Sequence, residues 1–266
     1  MIITKNGISY LTFSLFERAG IRAAVSCREG GVSAPPFDSL DMGFHTGDDP
    51  EAVRENRKRF LEALQIAPES MVSCVQVHGV HIEEVTEKDR GRGAFSYETA
   101  VPGTDGLVTE VKDTALTMLY ADCTPLLFAD PVRKVIAVSH GGWRGTAGNI
   151  AGKTVDTMVE RYGCQRENIL CAVGPALCRT HFEVGGEVIE KMRELFGEDT
   201  DRLTVPGPAG KYLFDLPGAH EISLLRAGIP KEHIENSGIC TWEDEHFYSY
   251  RKEHGRTGRH MAVIVL

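Results

Sequence analysis

The sequence predicts an α+β fold, a mixed β-sheet core covered by helices, in a single domain over residues 1–266. Three observations predict it. Short apolar runs of strand length alternate irregularly with amphipathic stretches of helix length, and several of the runs lie close enough to pair as hairpins. No Gly-x-Gly-x-x-Gly follows the first strand, which argues against a doubly wound nucleotide-binding sheet. No internal repeat, low-complexity tract or obvious linker divides the 266 residues, a length that can bury a sizeable core.

Residues 21–27 (IRAAVSC) read as a strand running into a Gly30-Gly31 turn. Asp48-Asp49-Pro50 opens a helix, with an acidic cap, Pro at the first helical position and apolar residues at Val53, Phe60, Leu61 and Leu64. Residues 71–77 and 80–85 read as strands around a His78-Gly79 break. Residues 91–104, with three glycines and one proline, read as a mobile surface loop. Apolar runs at 114–120 and 126–129 flank Asp122-Cys123-Thr124-Pro125, taken as a break, and 134–139 (KVIAVS) is a buried strand ending at His140. A helix follows from about Gly148 to Tyr162, with Ile150, Val155, Met158, Val159 and Tyr162 on one face. A short strand at 169–173, helices near 184–196 and 217–227, and a closing strand from Met261 to Leu266 complete the pattern.

With 42% hydrophobic and 25% charged residues the composition is that of a globular protein. A formal net charge of -9 supplies no broad phosphate-neutralising face, so nucleic acid and membrane surfaces are not expected partners. The densest basic run, Arg54 to Arg59, is interrupted by Glu55 and Asn56 and reads as a solvated helix face. No apolar run approaches the roughly 20 residues that span a bilayer. The first twenty residues lack the basic and apolar regions of a signal peptide, so the expected location is cytoplasmic, with reduced thiols. Seven cysteines are present and no pair forms Cys-x-x-Cys. Six of them read as small buried hydrophobes.

The seventh is Cys123. With His78 and His140 it offers one thiolate and two imidazoles, the donor set of an open three-ligand zinc site. All three stand at the ends of apolar runs, where side chains from separate elements can converge. Spacings of 45 and 17 residues are unlike the compact pairs of zinc fingers and suit a site assembled from separate strands. A buried cysteine and two capped or core histidines are the competing structural reading. His81 reads as an exposed histidine or a spare group behind the site. Gly141, Gly142 and Arg144 point to anion or substrate binding: glycine lets backbone N–H groups approach closely, an arginine fork clamps phosphate, and the next helix adds its positive end. Arg28, beside Gly30-Gly31, repeats the theme. Asp122 and Asp105 are each candidates to orient a histidine or act as a base, against a plain turn role for Asp105. Near the C-terminus, Phe247-Tyr248-Ser249-Tyr250-Arg251 and Arg259 read either as stacking partners for a base or sugar or as a core-edge cluster.

Taken together these segments resemble the laccase-domain family, the polyphenol oxidase or purine nucleoside phosphorylase family of bacterial cytoplasmic proteins. The resemblance runs nearly end to end. It begins with Ser26-Cys27-Arg28-Glu29-Gly30-Gly31-Val32-Ser33, Leu40-Asp41-Met42-Gly43, Gly47-Asp48-Asp49 and Asn56-Arg57. Gln76-Val77-His78-Gly79, Thr104-Asp105-Gly106 and Ala121-Asp122-Cys123-Thr124-Pro125 follow. His140 to Gly145, Gly174-Pro175-Ala176 and the Cys240 to Arg259 tail complete it. The resemblance implies an α+β fold, metal ligands at His78, Cys123 and His140, and zinc-dependent chemistry on purine nucleosides with phosphate as co-substrate. The activities it implies are phosphorolysis of adenosine, inosine and methylthioadenosine, and adenosine deamination. The chain departs from the family pattern at Gly141, more often Ala, and at Asp41, more often Asn.

Copper is the alternative metal, since divalent copper exceeds zinc in raw affinity. A four-copper oxidase needs about ten imidazoles, many in His-x-His pairs; this chain has ten histidines in all and no such pair. Four functional readings therefore stand: a zinc-dependent purine nucleoside phosphorylase and deaminase, a cysteine hydrolase acting on an amide such as a cell-wall precursor peptide, with Cys123 as nucleophile and His140 as base, a copper-dependent polyphenol oxidase with a single copper in the His78–Cys123–His140 site, and a non-enzymatic metal- or partner-binding protein. Within the first, Cys123, His140, Asp122 and Arg144 are the catalytic candidates, and Arg28, Gly141, Gly142 and Arg144 the substrate-binding ones. The oligomeric state is not legible.

Overall fold

The computed structural model describes all of residues 1–266. In chain order the elements are β1 (Ile2–Lys5), β2 (Ile8–Thr12), α1 (Ser14–Arg18), β3 (Arg22–Ser26), α2 (Pro50–Ala63), β4 (Met71–Val72), β5 (Ile82–Glu84) and β6 (Gly106–Thr109). Then come β7 (Ala115–Tyr120), β8 (Thr124–Asp130), β9 (Val135–Gly141), α3 (Trp143–Ala147), α4 (Ile150–Tyr162), β10 (Leu170–Val173) and β11 (Glu183–Val184). The rest are α5 (Gly186–Phe196), α6 (Asp199–Leu203), β12 (Thr204–Pro206), β13 (Tyr212–Phe214), α7 (Leu216–Arg226), β14 (Ile234–Asn236) and β15 (His260–Val265).

The fold is α+β, but its strands form two large mixed sheets and a small one rather than a single core sheet. One six-stranded sheet runs β1-β2-β3-β15-β7-β4 and the other β14-β10-β8-β9-β6-β5, with β11-β13-β12 as an outlying trio. Period-2 alternation explains the layering. On β15, Ala262 and Ile264 join Met118 of β7 and Leu127 and Val138 of the second sheet in one inter-sheet core. Met261, Val263 and Val265 face the other way, onto Phe60 and Leu61 of α2. The second sheet does the same: Ile136 and Val138 of β9 point between the sheets, while Val135 and Ala137 pack on Val155 and Met158 of α4. Both faces of the central strands are covered, which is why they read as continuous apolar runs.

Several local expectations change. Strand structure between 71 and 85 shrinks to β4 and β5, because Ser73–His81 spends its backbone groups on loop contacts, including Ser73 to Arg92 and Val75 to Val101. Thr124-Pro125 does not break a strand; it begins β8, with Pro125 opposite His140 in an antiparallel pair. A proline at the first positions of a strand surrenders only one ladder donor. The segment 91–104 is not a free loop: Ala94, Ala100 and Val101 are buried, and the Arg57 guanidinium donates to the carbonyls of Gly93 and Ala94. Arg57 itself is buried in the middle of α2 and also donates twice to Met42 O, so the basic run there is not wholly a solvated face. The helix from Asp49 holds as expected, with the Asp49 carboxylate accepting from the Glu51 N–H and Pro50 leading. No helix is long and apolar enough to cross a membrane.

Candidate metal and substrate cleft

The turn Ala121–Cys123 joins β7 of one sheet to β8 of the other, so Cys123 stands where the chain crosses between layers. Asp122 takes φ 85 there, a left-handed conformation that Asp tolerates better than most residues. Its two carboxylate oxygens accept from the Thr241 hydroxyl at 2.7 Å and the Arg251 N–H at 2.6 Å, and its carbonyl accepts from the Leu177 N–H. Burial pushes the Asp122 carboxyl above the ordinary range, against the hydrogen bonds it receives. Asp122 is therefore the clasp that holds the crossing turn, with its acceptors engaged.

His140 extends the inter-sheet face of β9 beyond Ile136 and Val138, and its ring lies 5.6 Å from that of Tyr120 at the end of β7. His78 approaches from the irregular segment before β5, at φ 60. The structure brings the three expected donors together: ligand atoms of His78, Cys123 and His140 all lie within 4.8 Å of one another. The two imidazoles meet edge to face with centroids 4.8 Å apart. One thiol and two imidazoles at this separation fit a single divalent ion and leave further coordination positions to the cleft.

Asp105 holds this arrangement. It is fully buried, and its Oδ1 lies 2.8 Å from His140 Nδ1. The same carboxylate accepts the backbone N–H groups of Val77, His78 and Gly79 at 3.1, 3.0 and 2.7 Å. One side chain thus orients one histidine directly and the other through its backbone. Although burial opposes it, the His140 contact and these N–H donors keep the Asp105 carboxyl below its usual range. Burial likewise pushes the Cys123 thiol up, but the His140 charge and hydrogen bonds from both histidines bring it below the ordinary thiol range. For His140, burial opposes the charged form, and Cys123 and Asp105 more than offset it.

Gly141 and Gly142 do not line the cleft; they make room behind it. A Cβ on Gly142 would stand 3.1 Å from His78 Cδ2, 3.2 Å from Cys123 Sγ and 3.5 Å from His140 Cε1. A Cβ on Gly141 would meet His220 Nε2 at 2.4 Å. The helix directly after them, α3, is a single five-residue turn, and the longer α4 begins only at Ile150, capped by the Asn149 side chain. Arg28 is also elsewhere: it pairs with Glu253 at 3.0 Å, donates to Asp38 O and stacks 4.6 Å from the Tyr248 ring. His81 is exposed and paired with Glu83.

The cleft beside the three donors has a volume of about 500 Å³. Arg144 does line it, stacked 4.3 Å from the Trp143 ring. So do Arg251 and Arg259, whose guanidinium groups donate only to backbone carbonyls: Glu183 O from the first, Thr257 O and Gly258 O from the second. None of the three has a carboxylate partner within ion-pair distance. The C-terminal aromatic-arginine segment therefore divides: Phe247 and Tyr248 are core, while Tyr250 and Arg251 face the cleft. His45 and Tyr97, with ring centroids 5.8 Å apart, form another part of the lining that nothing in the sequence singled out. Buried Asp41 positions this side, accepting from the Gly43 and Arg259 N–H groups and the Thr46 hydroxyl.

A helix-covered pair of sheets with a metal-competent thiol–imidazole cluster at the crossing between them defines the class of protein. The family model described as multi-copper polyphenol oxidoreductase laccase matches residues 22–266, and the chain belongs to that family. It is 40% identical over 247 residues to the purine nucleoside phosphorylase YlmD of Geobacillus stearothermophilus, covering 92% of this chain and 90% of that one. It is 35% identical over 249 residues to the purine nucleoside phosphorylase YfiH of Escherichia coli, covering 93% and 94%. Among solved structures, YlmD from G. stearothermophilus superposes with a TM-score of 0.94 at 38% identity, covering 99% of this chain and 98% of that one. A YfiH protein of Bacillus licheniformis does so with a TM-score of 0.93 at 36% identity, covering 98% and 96%.

Proposed function

We propose that this chain is a zinc-dependent purine nucleoside phosphorylase, acting on adenosine, inosine and methylthioadenosine, and that the same cleft deaminates adenosine. The observation that carries the proposal is the joining, in one cleft, of the His78–Cys123–His140 cluster with three guanidinium groups that have no carboxylate partner. The names of the relatives, which are purine nucleoside phosphorylases, support it.

A zinc ion held by His78, Cys123 and His140 would supply Lewis-acid charge beside the reacting bond. The protein's own groups do the remainder. Asp105 accepts the Nδ1 proton of His140, which leaves Nε2 as the donor atom toward the cluster. Arg144, Arg251 and Arg259 take the charge of phosphate, whose oxygen bonds to the anomeric carbon as the glycosidic C–N bond breaks and the purine leaves. His45, Tyr97 and Tyr250 offer ring faces for the base. Four-copper chemistry lacks its ligands: apart from His78 and His140, no histidine belongs to this cluster, and none of the ten is in a His-x-His pair.

One observation favours a second reading. Cys123, His140 and Asp105 stand in the order nucleophile, base, orienting carboxylate, the arrangement of a cysteine hydrolase acting on amides. The experiment that separates the two is product analysis on adenosine plus phosphate, with metal analysis of the same sample. Zinc bound at the cluster with release of adenine and ribose 1-phosphate supports the phosphorylase. Amide hydrolysis by the metal-free protein with no release of adenine overturns it in favour of the second reading, and full nucleoside turnover retained in metal-free Cys123→Ala overturns the role of zinc.

A further inference from the structure

A second group of metal-ligating side chains lies behind the cleft wall and takes no part in the chemistry above. Cys178 and His181 occupy one tight turn, closed by the His181 and Phe182 N–H groups donating to Cys178 O. Cys240 and Glu243 occupy another, closed by the Glu243 and Asp244 N–H groups donating to Cys240 O. Each turn thus presents two donors spaced i, i+3, and a parallel bridge between Ala176 and Cys240 sets the turns side by side.

From this geometry we infer a second, structural zinc site formed by Cys178, His181, Cys240 and Glu243. All four donor atoms lie within 4.8 Å of one another. His181 Nδ1 is 3.2 Å from Cys178 Sγ, 3.6 Å from Cys240 Sγ and 3.4 Å from Glu243 Oε1, and Cys178 Sγ is 3.9 Å from Glu243 Oε1. Zinc–sulfur bonds of about 2.3 Å and zinc–nitrogen or zinc–oxygen bonds of about 2.0–2.2 Å at tetrahedral angles require donor separations of about 3.4–3.8 Å. Of the four observed edges, 3.4 and 3.6 Å fall within that range, and 3.2 and 3.9 Å lie within about 0.2 Å of it.

Two further features fit a metal thiolate. The Cys178 backbone N–H donates to Cys240 Sγ at 3.4 Å, an arrangement that stabilises negative sulfur. The His181 ring is held flat on Trp242, with centroids 5.1 Å apart and planes at 10°, so its donor atom is already aimed. Four protein ligands close the coordination sphere, as in structural rather than catalytic sites. The site would staple the 176–184 segment, which brings Leu177 and Phe182 to the cleft, onto the turn whose Thr241 holds Asp122. The two cysteines are therefore not simply buried hydrophobes.

The test uses the full-length chain, purified under reductant and titrated with Zn²⁺ alone. Wild type is expected to bind two equivalents, Cys123→Ala one, and Cys123→Ala combined with Cys178→Ser none. If the combined variant does not fold, Cys123→Ala combined with Glu243→Gln keeps the test open, with weakened binding of the remaining equivalent expected. Mutation-free wild type gives an independent reading: Cys178, the partly exposed thiol of the pair, is alkylated slowly when zinc-loaded and rapidly after chelation. A Cys123→Ala protein that binds no zinc overturns the inference. So does equal alkylation of Cys178 with and without zinc, or a Cys178–Cys240 disulfide in the zinc-saturated wild type.

Discussion

Asp105 Oδ1 lies 2.8 Å from His140 Nδ1, and the same carboxylate gathers three consecutive backbone N–H groups from the turn that carries His78. Two donors from different segments of the chain, one on β9 and one in the turn before β5, are thereby positioned by one buried side chain. A group that orients a ligand histidine in this way commonly controls metal affinity by 10- to 100-fold.

Asp105→Asn is accordingly expected to weaken zinc binding and lower kcat/KM for nucleoside phosphorolysis by roughly 10- to 100-fold. The amide can present its NH₂ where the carboxylate accepts, which disrupts either the His140 contact or an N–H contact of the His78 turn. Competition with a calibrated chelator reads the affinity. Unchanged affinity and unchanged kcat/KM together would refute this role.

Gly142 makes room for the cluster. Its φ of -75 is open to any residue, so the constraint on it is space and not backbone conformation. Gly142→Ala places a methyl 3.1 to 3.5 Å from atoms of all three donors. The nearest of these, His78 and Cys123, must give way by a few tenths of an ångström, so the effect falls on the geometry of the site. Zinc affinity should fall while the thermal midpoint of the metal-free protein changes little; the reverse pattern would assign Gly142 to general packing.

The apolar strands at 114–120, 134–139 and 261–266 were legible because both of their faces are buried. For the same reason nothing local could say which sheet each belongs to. The insertion of β15 between β3 and β7 joins residues more than a hundred positions apart. His78, Cys123 and His140 stood out because each ends an apolar run. Asp105 was visible only as a possibility, since its value lies in contacts 26 to 35 residues away. His45 and Tyr97 carry no local signature of a cleft. Arg28 and Arg144 look alike as arginines near glycine pairs, and only the tertiary partners of Arg28, namely Glu253, Asp38 and Tyr248, separate them.

That separation is measurable. Arg144→Gln removes a guanidinium with no ion-pair partner and should raise the KM for phosphate by about 10-fold or more, the value of one charge-assisted contact, with little change in thermal midpoint. Arg28→Gln should do the opposite, lowering the midpoint through loss of the Glu253 pair and the Tyr248 stacking while leaving the phosphate KM nearly unchanged. An equal rise in phosphate KM for both would contradict the placement of Arg28 away from the cleft.

Acid should unfold this protein through two interior histidines. His260 is fully buried between Tyr120 and Phe247 with neither ring nitrogen hydrogen-bonded, and burial lowers its pKa from 6.5 to about 3. Burial also lowers that of His220, to about 4. A folded-state pKa below the unfolded one means that the native state binds fewer protons. The stability from each group is therefore complete above pH 6.5 and lost as the pH falls from there toward the folded value. At pH 5 the loss through His260 amounts to about 2 kcal/mol. Asp41 works against it: burial raises its carboxyl to about 6, so below that pH the folded state gains from the proton it keeps. A His260→Leu variant isolates the histidine, because Asp41 is common to both proteins. The variant's thermal midpoint relative to wild type should change little between pH 7.5 and pH 6.5 and rise steadily from there to pH 5. A difference that stays constant across that range would mean that His260 does not titrate on unfolding.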